Sequence, residues 1–443
     1  MYQEFKKMDS GTMNLINKKR ILNLIKQRHQ ISRSEISKET GLTPPTVSRI
    51  VDGLVHKDQL VEYRGVENGS GHGHHKNGRP PVIVRFKGGD NNIIGIDLGA
   101  TYIRGCLVDL NATCLSEIQI PTEINKGFDS IIEKITQIVE KFKKRKSKNA
   151  RIWGVGIGVA GLVNKDTGII ESSPDFGWTN VDLRKELEDK IDLPFFYDNS
   201  TRLMALGELR FGNKQNLKNF AIINMGYGIA AGLVVEGQLV RGDSGYAGEF
   251  GHIAVDPASN VRCDCGMYGC LEALASGHRI ANLGIKAFEN GQSDILKELS
   301  DNNSENIDAE IVGKAARKGD QVSLQIYDEV TEYLAKGIAT LANLLNPEVV
   351  FIGGGISLNG KFFFDLIDSK ISKYLLSSKS NLKIKPSSFE EQETSMGAVS
   401  IIMDKIMNLE LHAPQYSPRD ENGQKKKQEG QDQQEQPKEH QEK

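Results

Sequence analysis

Long apolar runs are missing from this chain. No window of its 443 residues approaches the ~18 uninterrupted apolar residues that span a bilayer, so no membrane segment is expected. The opening Met1-Tyr2-Gln3-Glu4-Phe5-Lys6-Lys7 has no apolar h-region; a secretory leader is therefore not expected, and the cytoplasm is the expected compartment. Cysteine is scarce: there are five, three of them within residues 263–270, which does not suggest a disulfide framework. From Pro414 onward the tail has a single aromatic, Tyr416, and after it no Leu, Ile, Val, Phe, Met or Trp. A Gln/Lys/Glu-rich segment of this kind, Lys425-Lys426-Lys427 included, cannot bury enough apolar surface to offset its ordering entropy and is expected to be disordered.

What is present fits a globular protein with room for roughly three domain-sized units at about 150 residues each. Hydrophobic residues are 38% and charged residues 26%. The net charge of −2 hides an asymmetry: residues 1–87 hold sixteen Lys/Arg against eight Asp/Glu, so the remainder carries −10. A basic head on an acidic body implies that only the head meets a polyanion.

Within that head, Leu15, Ile16, Ile21, Leu22, Leu24 and Ile25 form a helical stripe over residues 14–28. Ser32-Arg33-Ser34-Glu35 is a capping-box pattern for a second helix, closed by Gly41. Thr43 is placed to cap a third helix with Pro44 and Pro45 in its first turn. There Val47, Ile50, Val51, Leu54 and Val55 point inward, while Thr46, Ser48 and Arg49 point out. Two β-like runs, Leu60–Arg64 and Pro81–Phe86, flank a Gly/His-rich stretch containing Arg79. The order reads as a winged helix-turn-helix that binds double-stranded DNA, with Thr43, Thr46, Ser48, Arg49 and Arg79 as the contact candidates. His72, His74 and His75 in the wing lack a clear fourth metal ligand, and a solvated tip is expected.

Beyond the wing, buried-strand patterns run repeatedly into glycine turns. Asn92–Leu98 leads to Asp97, Gly99 and Thr101; Phe220–Met225 leads to Gly226 and Gly228; Val349–Ile352 leads to Gly354. Turns of this kind let backbone N–H groups approach phosphate. Alternation with helical stretches near 126–144, 200–211 and 322–345 indicates an α/β body, and the repetition suggests two related lobes around a cleft. The sharpest chemical signal is His252 with Cys263, Cys265 and Cys270: three thiolates and an imidazole within nineteen residues match a closed, structural Cys₃His zinc site. Clamping that segment would turn Glu249, Glu272 and the free nitrogen of His252 toward one pocket, as partners for sugar hydroxyls.

These residues resemble the ROK family (repressors, open reading frames, kinases), in the repressor branch that carries an N-terminal winged helix. The likeness covers roughly residues 14–408 and rests on Ile96–Thr101, Ser173–Trp178, Ala205-Leu206-Gly207-Glu208, Gly248–His252 and the cysteine block ending Gly269-Cys270-Leu271-Glu272. It implies an actin-like ATPase fold in two lobes, a sugar effector in the cleft, structural zinc, a homodimer or tetramer and an inverted-repeat operator. Sugar contacts fall to Glu249, His252 and Glu272, with Asn199 and, where the family often has Asn, Asp175. Kinases of the family read Glu-Asn-Asp-Ala-Asn where this chain has Asp198-Asn199-Ser200-Thr201-Arg202. That register leaves Ser200 at the catalytic-base position, and a serine cannot take the hydroxyl proton without another base. A second register, with Asp198 as base, needs a two-residue gap. The second phosphate turn, commonly Thr-Gly-Thr-Gly, reads Met225-Gly226-Tyr227-Gly228, so Asp97, Gly99, Thr101, Gly226, Gly228 and Gly354 are read as a degenerate nucleotide site without catalysis. The absence of an Arg/Lys pair for a phosphate favours a free pentose such as xylose. The expected organisation is a flexible stretch at 1–13, a head at 14–88, a body at 89–410 and a tail at 411–443, with no membrane partner.

Overall fold

The computed structural model describes residues 10–56, 60–64, 82–164, 167–212, 217–376, 381–389 and 392–411. Arg79, His72, His74, His75 and the tail from 412 lie outside the described residues. Among the described residues no helix is long and apolar enough to cross a membrane.

The head begins with α1 (Ser10–Arg28), which starts ahead of the expected residue 14. It buries Ile21, Leu22 and Ile25, but Leu15 and Ile16 are exposed, because the first turns of the helix run past the core they were expected to join. A short strand β1 (Gln30–Ser32) follows, too brief to carry a period-2 signal in the sequence. The capping box at Ser32 forms as expected: its side chain accepts from the Glu35 N–H while Glu35 reaches back to the Ser32 N–H at 2.9 Å. It opens α2 (Arg33–Thr40), which stops at Gly41 in the left-handed region, φ 70°. In α3 (Pro44–His56) Val47, Ile50, Val51 and Leu54 are buried. Strands β2 (Val61–Arg64) and β3 (Ile83–Phe86) complete an antiparallel sheet ordered β1-β3-β2.

The first lobe contains β4 (Asn91–Leu98), β5 (Tyr102–Asp109), β6 (Cys114–Pro121), α4 (Phe128–Arg145), β7 (Arg151–Val159), β8 (Leu162–Val163), β9 (Ile170–Ser173), β10 (Trp178–Val181), α5 (Leu183–Leu187) and β11 (Phe195–Asn199). Its main sheet runs β11-β7-β4-β5-β6, with β4, β7 and β11 parallel and β5 and β6 antiparallel. The apolar face of α4 (Ile131, Ile135, Ile138, Phe142) covers one side of it. Helix α6 (Ser200–Phe211) leads to the second lobe.

That lobe holds β12 (Phe220–Met225), β13 (Ile229–Val235), β14 (Gln238–Leu239), α7 (Leu271–Ala275), α8 (Gly277–Glu289), α9 (Asp294–Leu299), α10 (Ala309–Arg317), α11 (Gln321–Leu345), β15 (Val349–Gly353), α12 (Lys361–Ile371), β16 (Lys383–Pro386) and α13 (Glu393–Met407). Its sheet, β16-β15-β12-β13-β14, repeats the order of the first: three parallel strands, then an antiparallel pair. The repeated strand-glycine plan in the sequence is this repeated sheet.

Helices α6 and α13 cross between the two sheets. A Cβ on Gly397 would lie 1.8 Å from the Leu203 carbonyl oxygen, and one on Gly207 would lie 2.9 Å from the Gly397 nitrogen, so the backbones touch. Helix α13 in turn lies on the first sheet at Gly95 and Gly156, where a Cβ would fall 2.1 and 2.0 Å from its carbonyls. Helix α6 meets the second sheet at Gly232, 2.6 Å from the Thr201 carbonyl by the same measure. Gly397→Ala therefore has no room that a side chain can yield and is expected to cost at least about 1–3 kcal/mol. Gly89→Ala, with nothing within 4 Å, should stay within about 0.5 kcal/mol. Urea midpoints at constant m-value check both.

Candidate functional site

The metal cluster is assembled by short-range folding. His252 sits in a 3₁₀ turn, Phe250–His252, and β-bridges pair Ala254 with Cys270 and Arg262 with Tyr268. Gly266 and Gly269, both at positive φ, allow the reversals between the cysteines. The ligand atoms of His252, Cys263, Cys265 and Cys270 lie within 4.8 Å of one another. Cys263 Sγ is 3.6 Å from His252 Nδ1, and Cys265 Sγ is 3.7 Å from Cys270 Sγ. A tetrahedral ion with metal–sulfur bonds of about 2.3 Å and metal–nitrogen bonds of about 2.0 Å requires edges of roughly 3.6 and 3.8 Å, so the four residues fit a metal of this class. All four thiol and imidazole donors come from the protein, which closes the site to substrate.

The same segment places the pocket residues. Glu249 immediately precedes the 3₁₀ turn; burial pushes its carboxyl up, with Glu272 adding, against the opposing effects of His252 and Arg202. Glu272, in the first turn of α7, accepts the Ile229 N–H at 2.8 Å. Asp175, in the 3₁₀ turn Pro174–Phe176 of the first lobe, is pushed up by burial and by the charge of Glu272. Asn199 caps α6, accepting the Arg202 N–H at 3.0 Å and donating to the Gly161 carbonyl at 2.8 Å. Asp175 of the first lobe is thus electrostatically coupled to Glu272 of the second, and Glu249 to Glu272, His252 and Arg202, the residue whose N–H Asn199 caps.

Two arginines shape this cleft in a way the sequence did not disclose. Arg202 is only 2% exposed and donates to Asp198 at 2.8 Å, to the Val163 carbonyl at 3.2 Å and to the Gly245 carbonyl. Arg241 reaches the other oxygen of Asp198, and the Asn199 N–H also binds Asp198, at 2.8 Å. The fold brings Arg202 and Arg241 together on the carboxylate of Asp198. From the same loop Tyr246 donates to Glu171 of β9, so residues 241–246 brace the cleft mouth against the first lobe. Ser200, at the expected base position, opens α6 and is buried.

The glycine turns gather around the N-terminus of α13. Gly99 N–H donates to Tyr102 O at 3.2 Å, and the Thr101 carbonyl accepts the Thr122 N–H at 2.9 Å. Gly226 accepts the Gly277 N–H at 3.0 Å, placing the second turn against α8, and a Cβ on Gly228 would strike Glu272 Oε2 at 2.5 Å. Gly354, φ 81°, packs on Met225 of the second turn. The Tyr227 ring of the second turn is 60% exposed and lies 4.9 Å from the His278 ring. The Gly226 and Tyr227 carbonyls accept the Gly277 and His278 N–H groups of α8.

In the head, Arg49 is exposed on α3, with Nη2 3.4 Å from Asn14 Oδ1. The Thr43 and Thr46 hydroxyls pair at 2.9 Å. Ser48 accepts from Arg33, which also binds Asp52 at 2.5 Å and Tyr63, tying α2, α3 and β2 into one unit. Arg33 was legible only as part of the capping box; its partners are fifteen to thirty residues away.

The architecture is thus a winged helix-turn-helix carried on a two-lobed body of the actin-like ATPase type. The ROK family model matches residues 93–405, and a winged helix-turn-helix DNA-binding model matches residues 15–55. The chain belongs to the ROK family. It is 31% identical over 404 residues to the xylose repressor of Caldicellulosiruptor bescii, covering 91% of this chain and 98% of that protein. It is 32% identical over 316 residues to the glucokinase of Thermotoga maritima, covering 71% of this chain and 98% of that one. A solved ROK family transcriptional regulator, a homologue of the E. coli Mlc protein, superposes with a TM-score of 0.75 at 29% identity, covering 89% of this chain and 97% of that structure.

Two carboxyls near the glycine turns generate a pH prediction. Burial lifts Glu393 to about 7, with Asp97 adding to the effect and Ser387 opposing it. Burial lifts Asp97 to about 6 against Arg104 and Thr394. Between its ordinary value of 4.5 and about 7, folded Glu393 keeps a proton that the unfolded chain has released. Stability from this group is therefore full below that window and falls as pH rises through it, by roughly 2–3 kcal/mol. Denaturation midpoints should drop from pH 5 to pH 8, and Glu393→Gln should flatten the drop.

Proposed function

We propose that this protein is a sugar-responsive, DNA-binding transcriptional repressor of carbohydrate utilisation genes, with xylose as effector and no kinase activity. The observation that carries the reading is that head and body share one core. Ile21, Leu22 and Ile25 of α1 join a single apolar cluster with Met403, Ile406 and Met407 of α13, the helix that crosses α6. A ligand in the cleft therefore has a packed route to the DNA-reading helix. The xylose repressor aligns along nearly the whole chain, head included, whereas the glucokinase aligns over 71% of it.

The chemistry of the pocket supports a neutral sugar. Asp175, Asp198, Glu249 and Glu272 outnumber Arg202 and Arg241, so the cleft carries an excess of negative charge that repels a phosphoryl group. Asp198 already accepts from Arg202, Arg241 and the Asn199 N–H, which makes it a poor recipient for a hydroxyl proton. With Ser200 at the family's base position, phosphoryl transfer has no base, and Asp97, Gly99, Thr101, Gly226, Gly228 and Gly354 are retained as architecture. Zinc at His252, Cys263, Cys265 and Cys270 is structural, holding Glu249, His252 and Glu272 in place for the sugar hydroxyls. A homodimer or tetramer would read an inverted repeat with half-sites spaced by whole helical turns.

Fluorescence anisotropy on DNA from upstream of the protein's own gene tests the reading. Salt-sensitive binding reversed by xylose is expected; binding that no sugar alters, together with ADP release from ATP and a sugar, would establish the kinase instead. Arg49→Ala should weaken specific binding by about 1–3 kcal/mol if Arg49 reads a base, or lower the salt slope by about one if it meets phosphate. Cys265→Ser should lose stoichiometric zinc by elemental analysis and abolish the xylose response before it abolishes DNA binding. Full zinc content with a normal response would remove the structural role.

A further inference from the structure

One carboxylate is shared by the head and the cleft helix. Asp404 of α13 accepts from Arg210, in the last turn of α6, at 2.8 Å through Nη2 and 3.1 Å through Nε, both on Oδ2. Its other oxygen faces the Lys26 ammonium of α1 at 3.5 Å. The same ammonium stands 5.9 Å from the centre of the Phe211 ring, next to Arg210 in sequence. Lys26 and Asp404 are partly shielded, with 21% and 27% of their side chains exposed, while Arg210, at 34%, lies at the surface. Burial lowers the Lys26 pKa and Arg210 lowers it further, while Asp404 opposes both.

Two cations therefore compete for one anion, and they hold it unequally. Arg210 has a short two-pronged grip on it; Lys26 has a single long contact. The carboxylate contacts both at once, through different oxygens, and a small displacement of either neighbour would shift its hold from one cation to the other. Helix α6 supplies the displacement. Its first turn is capped by Asn199 and anchored by Arg202 in the cleft, and its last turn carries Arg210. At 1.5 Å per residue its twelve residues span about 18 Å, so a displacement of the first turn reaches Arg210 as a small slide of the rod along α13, past Asp404.

We propose that Asp404 is the residue that couples the sugar cleft to the DNA-binding head, exchanging between Arg210 and Lys26 as α6 moves; the proposal rests on the repressor reading above. A sugar that draws on Asn199 or Asp198 displaces the start of α6, loosens the Arg210 fork and hands the carboxylate to Lys26. That exchange changes how α1, and with it the head, is held on the body. Asp404 is a positioning residue in this scheme and touches neither DNA nor sugar.

The test measures coupling itself, on the full chain, with D-xylose as the probe. Operator affinity is measured with and without saturating xylose, and xylose affinity with and without operator; by linkage the two ratios are the same factor. Couplings of this kind are typically about 5–150-fold. In Asp404→Asn each ligand alone should bind within about twofold of the wild type, while the coupling factor falls to about twofold or less. Lys26→Met keeps the stem over Phe211 and removes the charge; it should give the same loss, and the double variant should add nothing. A residue with only a structural role would lower the midpoint of unfolding and leave the factor intact. Unchanged coupling in a folded Asp404→Asn or Lys26→Met variant overturns the relay alone, and if Asp404→Asn fails to fold, Lys26→Met decides. A wild-type protein that binds operator without any xylose coupling overturns the repressor reading and the relay with it.

Discussion

The close crossing of α6 and α13 is the contact on which the rest of the structure depends. Both helices carry glycine where their backbones meet, and α13 and α6 each lie on a sheet through glycines on the strands. Glycine within a helix costs about 1 kcal/mol relative to alanine. The cost is offset because only a hydrogen fits between two backbones at this distance, and the short separation brings two sheets, a cleft and a head around one pair of rods. The N-termini of the pair face the cleft, where Asn199 caps α6 and Glu393 begins α13. Their C-terminal ends face the head, where Arg210 and Asp404 meet Lys26.

That geometry explains how one body can serve either chemistry or sensing. The glycine turns and buried strand ends are required by the fold whether or not a nucleotide binds, since their carbonyls and N–H groups brace neighbouring turns and α8. The start of α6 carries side chains of its own. Arg202 spans from α6 to carbonyls of Val163 and Gly245, and together with Arg241 it occupies the carboxylate of Asp198.

Electrostatics divides the molecule in the same way. The basic head suits a polyanion, and the acidic cleft suits an uncharged polyol; charge segregation keeps each partner from the other's site. The head is not an appendage, since its core merges with that of α13. The His252–Cys270 cluster ties the segment together at short range, while Phe250 and Leu271 pack it against α11.

Much of this was legible in the sequence wherever the physics is local. Ser32 and Glu35 announce a helix start because capping is satisfied within one turn; Val47, Ile50, Val51 and Leu54 announce a buried face because a helix repeats every 3.6 residues. His252, Cys263, Cys265 and Cys270 announce a metal site because their spacing lies within nineteen residues and glycines permit the reversals. The exposure of Leu15, Ile16 and Tyr227 was not legible, because periodicity and spacing do not say where a core ends or which neighbour claims a turn. Arg241 lies forty-three residues from Asp198, Arg210 lies 194 from Asp404, and Lys26 lies 378 from it. Sequence alone determined the head, the glycine turns and the metal ligands, since each forms from neighbours along the chain. The partners of Asp198 and Asp404 were decided only by tertiary structure, because an ion pair depends on distance in space and two helices had to cross before those distances existed.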